Sequence, residues 1–473
     1  MGPHLQQPPQ VQPVKRRWML ASCVVTIVSL NLLLWTLGTH TDVDFWTRLS
    51  EAPAEASRFP QRCGPGQTAP PHQKVSLTLV NGTHTRLVSA YREHRRGSTE
   101  VRVIAIVLRS EEPDYRCLLC CQDQLRISRG AANVHSNHFW FAYGTAHITC
   151  PLPPGCEAAS HVALVSSSAL YEDLLLDYVE VKNQEVRNHS FPFDFTVCIS
   201  TMFEFTNVLQ MVQSLEMLQL LGVDRVVIYK SSCNADTQRV LDYYVHKGLV
   251  ELVSWPLSRL MNVSRSWLPS YSPGDIHYFG QIPALNDCVY RYMYQSRYVA
   301  LHDLDELILP QTVDSWTALL PLLEDEYGAD KCYRFENNVF PNTVRNPPPS
   351  PPGSPPGSPA PVASWHGVPG VDILAHLHHE PVNRKLRHYG VKYIVNPRVV
   401  VAPTVHNLLS SQNGCSMVDS AVGRMYHTRS PKTKIPPEQL IFDGRLLSYS
   451  RRLVPAVTAV LRECGIISTD GSK

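Results

Sequence analysis

Asp303, Asp305 and Glu306 place three carboxylates within four residues of VALHDLDELILP, residues 299–310. Apolar residues 298–301 before the cluster and 307–309 after it read as short strands, and Pro310 closes the second run. Carboxylates gathered at the end of a buried strand repel one another and lose hydration unless a cation or hydrogen-bond donors compensate. Two aspartates separated by one residue can both turn toward a hard divalent ion that also grips substrate phosphates. The alternative is an acidic loop at a strand end that binds nothing.

The elements that must hold this cluster are legible upstream. Residues 195–199 form an apolar strand, and Asn207 can cap a helix whose Val208, Met211, Val212, Leu215, Leu218 and Leu221 recur at three-to-four spacing. Gly222 ends it, and residues 223–229 return as a buried strand, followed by a helix over 236–246 and a strand over 249–253. Strand, helix and strand in repetition predict an α/β domain with a mainly parallel central sheet. Ligands of such sheets bind beyond the carboxyl ends of the strands, where the acidic cluster falls. No glycine-rich dinucleotide or P-loop fingerprint occurs at a strand–helix junction.

The cluster and its surroundings resemble glycosyltransferase family 92. The likeness begins near Asp194 with VCISTMFEFTNVLQMVQSLEMLQLLGVDRVVIY and continues through VLDYYVHKGLVELVSWPL and FGQIPALNDCVYRY. It resumes with YIVNPRVVVAPTVHN and MYHTR. The resemblance implies a GT-A-like nucleotide-sugar transferase domain over 191–460, using Mn²⁺ and UDP-galactose to form a β-1,4 bond with inversion. The acceptor it implies is a galactose- or fucose-bearing glycan on a glycoprotein. By the same resemblance Asp305 contacts the ion and Asp303 works through water or the ribose, while Glu306 binds the donor sugar or holds the loop. A late histidine completes the metal site. His406 takes that place here with His427 near the diphosphate, and His427 is the competing ligand. Gln281, just before a helix expected over 283–295, and Asn286, Asp287 and Arg291 on it become donor contacts.

An inverting transfer needs a base for the acceptor hydroxyl. Glu380, following HisLeuHisHis in an expected loop, is the candidate, with Glu336 and Asp372 as alternatives. Trp365 and Trp267 could stack on acceptor sugar faces or simply pack in the core. A different class stays open as well: an inactive carbohydrate-binding or matrix-interaction protein on a transferase-like fold.

Among 473 residues, 44% are hydrophobic and 18% charged, and a net charge of +2 leaves no nucleic-acid footprint. Lys15, Arg16 and Arg17 precede an apolar run at 18–37, long enough to cross a bilayer. The basic flank predicts a cytosolic tail over 1–17, a signal-anchor and a luminal remainder in the secretory pathway, and the resemblance implies the Golgi membrane. Thirteen cysteines, twelve without Cys23, suit disulfides in an oxidising lumen. Asn81, Asn188 and Asn262 open glycosylation sequons. Residues 38–73 read as a stem, and 74–190 as a small β-rich, sandwich-like domain. The resemblance would make that domain a carbohydrate-binding-like module, whereas the residues themselves support only its β character. The proline-, serine- and glycine-rich stretch 346–361 reads as a disordered surface insertion, and 461–473 as a tail. Full-length protein purified from membranes should retain residues 18–37 when its N-terminus is sequenced. A mature chain beginning near Thr39 would refute the anchor.

Overall fold

The computed structural model describes residues 75–97, 99–167, 176–346, 365–383, 385, 387–431 and 435–468. The expected anchor, the stem and most of the proline-rich insertion lie outside them. No helix among the described residues is long and apolar enough to cross a membrane.

The alternating apolar residues of the first part build a ring of seven strands, with the short strand Thr78–Leu79 pairing onto the first of them: β1 Arg86–Glu93, β2 Glu100–Leu108, β3 Tyr115–Cys121, β4 Gln124–Val134, β5 Tyr143–Pro151, β6 His161–Ser166 and β7 Val179–Lys182. They run in the order β1-β2-β5-β4-β3-β6-β7, and β7 pairs back onto β1, so the sheet closes into a barrel rather than a sandwich. Cys117 in β3 is bonded to Cys150 in β5 across the intervening β4, and Cys121 to Cys156.

The second part opens as its periodicity predicts. β8 Phe193–Met202, α1 Val208–Leu220, β9 Arg225–Lys230, α2 Ala235–His246 and β10 Val250–Ser254 alternate, and α3 Gln281–Arg291 leads into β11 Ser296–Leu301. Asn234 caps α2 by accepting from Thr237 N at 2.9 Å. Asn207 precedes α1 but makes no such cap, because its carboxamide oxygen accepts from Val371 N at 2.8 Å instead.

The expectation of an α/β domain with a mainly parallel, GT-A-like central sheet is corrected. Strands dominate the chain, and the seven-stranded sheet is mixed. β10, β9, β8 and β11 are parallel, but β15 Lys392–Val395 joins β11 antiparallel, followed by β13 Cys332–Phe335 and β16 Cys415–Met417. Those late strands have three or four residues each, too few to display a period, and two of them follow the insertion. The Cys332–Cys415 disulfide ties two of them together. A separate three-stranded sheet sets β17 Gly423–Arg429 between β12 Glu306–Pro310 and β14 Asn337–Pro341. Helices α4 Trp316–Tyr327 and α5 Ser450–Glu463 cover the core.

The barrel and the mixed sheet meet through α3, which Cys198–Cys288 pins to β8. Asp287 is fully buried there, bonded to Arg291 at 2.7 Å, to the Tyr91 hydroxyl of the barrel at 2.6 Å and to the Tyr229 hydroxyl of β9. Burial alone would raise its pKa, but the Arg291 guanidinium wins and holds it at about 2, below the ordinary 3.8. The folded state therefore gains stability from this carboxylate that is complete above about pH 4 and is lost as pH falls toward 2. Asp287→Asn should cost about 3–5 kcal/mol at neutral pH, since it leaves a buried guanidinium unpaired. Urea unfolding of the variant should also weaken less than wild type between pH 4 and 2. Equal acid dependence of the two proteins would contradict this.

Candidate functional site

The acidic cluster turns out from the end of β11 into a cavity of about 540 Å³. Asp303, Asp305, Glu306, Gln281, Trp267, Glu380, His406 and His427 all line it. β12 and β17 pair with Glu306 opposite His427, which delivers the imidazole to the carboxylates from the other sheet. His427 Nε2 stands 3.2 Å from Asp305 Oδ2, and its Nδ1 stands 3.6 Å from Glu306 Oε1. Burial would lower the His427 pKa, yet the Glu306 and Asp305 carboxylates outweigh it and raise it.

The main cation of the cluster is one the sequence reading overlooked. Lys392, at the start of β15 and only 2% exposed, places Nζ 3.0 Å from Asp303 Oδ2 and 3.1 Å from Glu306 Oε2. Glu306 Oε2 also accepts from Asp303 N at 2.8 Å, and Gln281 donates to Asp303 Oδ1 at 3.2 Å. Burial opposes charge on the ammonium, but the two carboxylates hold its pKa above the usual lysine range. Asp303 is correspondingly held low by Lys392 against its burial, while Glu306 is pushed up by burial that Lys392 only partly offsets. A lysine inside the apolar stretch VKYIV was the available signal, because a charge in a buried strand requires a partner.

The wall beside Gln281 is aromatic. Trp267 stacks on Tyr278 with centroids 4.9 Å apart and planes 10° apart, and both line the cavity. Tyr278, Phe279 and Gly280 carry φ of 31°, 55° and 71°, a left-handed turn that sets the start of α3 at the cavity. A Cβ at Gly280 would come within 2.4 Å of Leu257 Cδ2, so only glycine fits. His406 leans on Trp267 at 6.1 Å and points Nδ1 at the Val391 carbonyl, 3.2 Å away. Burial, with Lys392 nearby, lowers its pKa to about 4.

Opposite, Glu380 hydrogen-bonds through its backbone N to Val339 O of β14 at 2.8 Å. Its pKa is raised by burial, with Arg429 opposing. Asn337, Tyr389 and Arg429 share this end and were not singled out from the sequence.

Four expected contacts fall elsewhere. Asn286 donates to Ile282 O and Pro403 O, both at 2.9 Å, and approaches His147 of the barrel at 3.0 Å. Asp287 and Arg291 form the buried pair already described. The polar side of α3 thus faces the barrel, and only its first residue, Gln281, reaches the cavity. Trp365 packs in the core and donates to Thr458 of α5 at 3.1 Å. Of the alternative bases, Asp372 accepts from Gln213 and caps a short turn at Leu374, away from the cavity lining. Glu336 does not line it either. Asn188 and Asn262 are exposed and Asn81 is half-buried, on loops of the surface.

Among the described residues eight cysteines pair in four disulfides, the use expected of them in an oxidising lumen.

A half-open cavity at the carboxyl end of β11, walled by carboxylates, imidazoles and stacked aromatics, has the lining that a polar ligand would need. Residues 193–453 match the profile of glycosyltransferase family 92, and the chain belongs to that family. Glycosyltransferase family 92 protein F13G3.3 of Caenorhabditis elegans is 27% identical over 137 residues, covering 29% of this chain and 26% of that protein. Beta-1,4-galactosyltransferase galt-1 of the same organism is 18% identical over 247 residues, covering 51% of this chain and 55% of that protein. The chain therefore spans between a quarter and about half the length of these relatives.

Lys392→Met removes the ammonium and leaves Asp303 facing a buried Glu306. Loss of one partner from such a pair should cost about 3–5 kcal/mol in a urea titration, partly recovered by adding Glu306→Gln. An unchanged midpoint in the single variant would show that the carboxylates do not depend on Lys392.

Proposed function

We propose that the chain is a metal-dependent inverting galactosyltransferase of the Golgi lumen. It would move galactose from UDP-galactose to a terminal galactose or fucose of N-glycans or other glycoconjugates through a β-1,4 bond. The observation that carries this reading is the convergence, in one cavity, of the acidic cluster, two imidazoles, an aromatic wall and a separate carboxylate, Glu380. The relative named as a β-1,4-galactosyltransferase favours the donor and linkage. Four disulfides favour an oxidising compartment.

For Mn²⁺ the donor set fits in a limited way. Among the described residues no three histidine, cysteine or acidic side chains surround one point. Asp305 Oδ2 and His427 Nε2, 3.2 Å apart, have the spacing of neighbouring ligands on an octahedral ion with bonds of about 2.1 Å. Hard octahedral ions accept such a partial set and complete it with phosphate oxygens and water. We assign the ion to Asp305 and His427, and leave Asp303 to the Lys392 ammonium that already holds it. Bound there, the metal would offset the charge of the departing diphosphate.

The protein's own groups do the rest. Lys392 fixes Asp303 and Glu306 in place, so the loop carrying Asp305 is set before substrate arrives. Trp267 and Tyr278 offer a flat face to the nucleobase, with Gln281 and His406 beside it. Glu380, raised by burial and with Oε1 unpaired, takes the acceptor proton as the base.

Asp305→Asn should reduce transfer by at least about a hundredfold, roughly 3 kcal/mol, and excess Mn²⁺ should restore only part of it. Among the described residues its side-chain partner is His427, and it is partly exposed, so the melting temperature should barely move. Mn²⁺-dependent UDP binding, measured by calorimetry on both proteins, decides the matter. Unaltered metal-dependent binding in the variant would refute the assignment.

A further inference from the structure

From the orphaned polar atoms at the far end of the cavity, we infer that Asn337, Arg429 and Glu380 form the acceptor subsite, built for a neutral terminal pyranose. This rests on the transferase reading and assigns a part of the same cavity.

Asn337, Glu380 and Arg429 line one cavity, and their Oδ1, Oε1 and Nε atoms are buried with no hydrogen-bond partner among the described residues. A buried polar atom is costly when left unpaired, and three on residues lining the same cavity are what a ligand would relieve. Their chemistry is mixed. Two oxygens accept and one N–H donates, which suits neighbouring sugar hydroxyls that both donate and accept. The Glu380 carboxylate and the Arg429 guanidinium offset each other, so the corner carries no surplus charge for an anionic sugar.

The sheet register separates this corner from the nucleotide end. Glu306 pairs with His427, His427 with Val339, and Glu380 bonds to Val339 from beyond. Strands lie about 4.8 Å apart, so the Glu380 backbone stands roughly 14 Å from that of Glu306. Gln281 and the aromatic wall approach the acidic cluster from the other element, α3, through Asp303. The reacting sugar would lie between the two ends, near Asp305 and His427.

Two further features shape the corner. Tyr389 is 72% exposed on the cavity rim, and its ring offers a surface for the C–H face of a pyranose. Gly390 beside it has φ of 66°, and a Cβ there would fall 2.9 Å from Asn337 Nδ2. The Gly390 backbone thus packs against the amide nitrogen of Asn337.

The test uses Asn337→Ser and Arg429→Met, with methyl β-galactoside and methyl β-galacturonide as acceptor probes and UDP with Mn²⁺ as the nucleotide probe. Each variant should raise the KM for methyl β-galactoside at least tenfold and keep UDP affinity within threefold, which also reports that it is folded. Wild type should prefer the neutral glycoside at least tenfold. An unchanged acceptor KM in both variants, equal use of the galacturonide, or a loss of UDP affinity in step with the acceptor would overturn the subsite. Failure of the wild type to bind UDP or to consume any UDP-sugar is a separate result, and it would remove the transferase reading itself together with the subsite.

Discussion

The Lys392 ammonium, held between Asp303 and Glu306 with almost no access to water, is the constraint on which the cavity depends. Three carboxylates in four residues cannot be packed against one another without a counter-charge. Here it comes from a strand that joins the sheet antiparallel, far away in sequence. The corrected topology is therefore also what makes the site: a sheet that continued parallel past β11 would have carried no lysine to this place. His427 arrives in the same manner, through the three-stranded sheet, so two different sheets converge on one short loop.

Much of this was legible where the chain repeats a period. The alternating elements from β8 to β11 sit within a few residues of the positions their apolar spacing indicates, because each buries one face against the same core. The acidic cluster was legible for the opposite reason, as carboxylates interrupting an apolar run. Lys392 escaped notice since a lone charge in VKYIV is meaningful only once its partners are known. Asn286, Asp287 and Arg291 misled for a related reason. The resemblance implied donor contacts for them, whereas their polar face is turned to the barrel, where Tyr91 and His147 satisfy it. Trp365 shows the same ambiguity in an aromatic residue, whose stacking and packing roles cannot be told apart by type alone.

The barrel and the mixed sheet are joined by polar contacts that are largely buried. Arg95 and Arg102 both donate to the Tyr290 hydroxyl, at 2.6 and 3.0 Å, with Glu93 balancing their charge. Such contacts are costly when half made and rigid when complete. The helix that positions Gln281 at one end is thus fixed along its length by the barrel, and the cavity gains precision from a part of the chain that does not line it.

The strand order of the barrel also governs when it can exist. β1, the first of its strands in sequence, closes against β7, the last, over only two residue pairs, Ala90 with Val181 and Tyr91 with Lys182. A nascent chain emerging from the ribosome cannot complete the ring until residue 182 is available, and until then it carries an open edge able to pair with other chains. Tyr91 sits at that seam and also holds Asp287, nearly two hundred residues later. The last contact of the ring and the first contact with α3 are thus made by one side chain, so closure and docking are coupled across a long sequence separation, the kind of contact that slows folding.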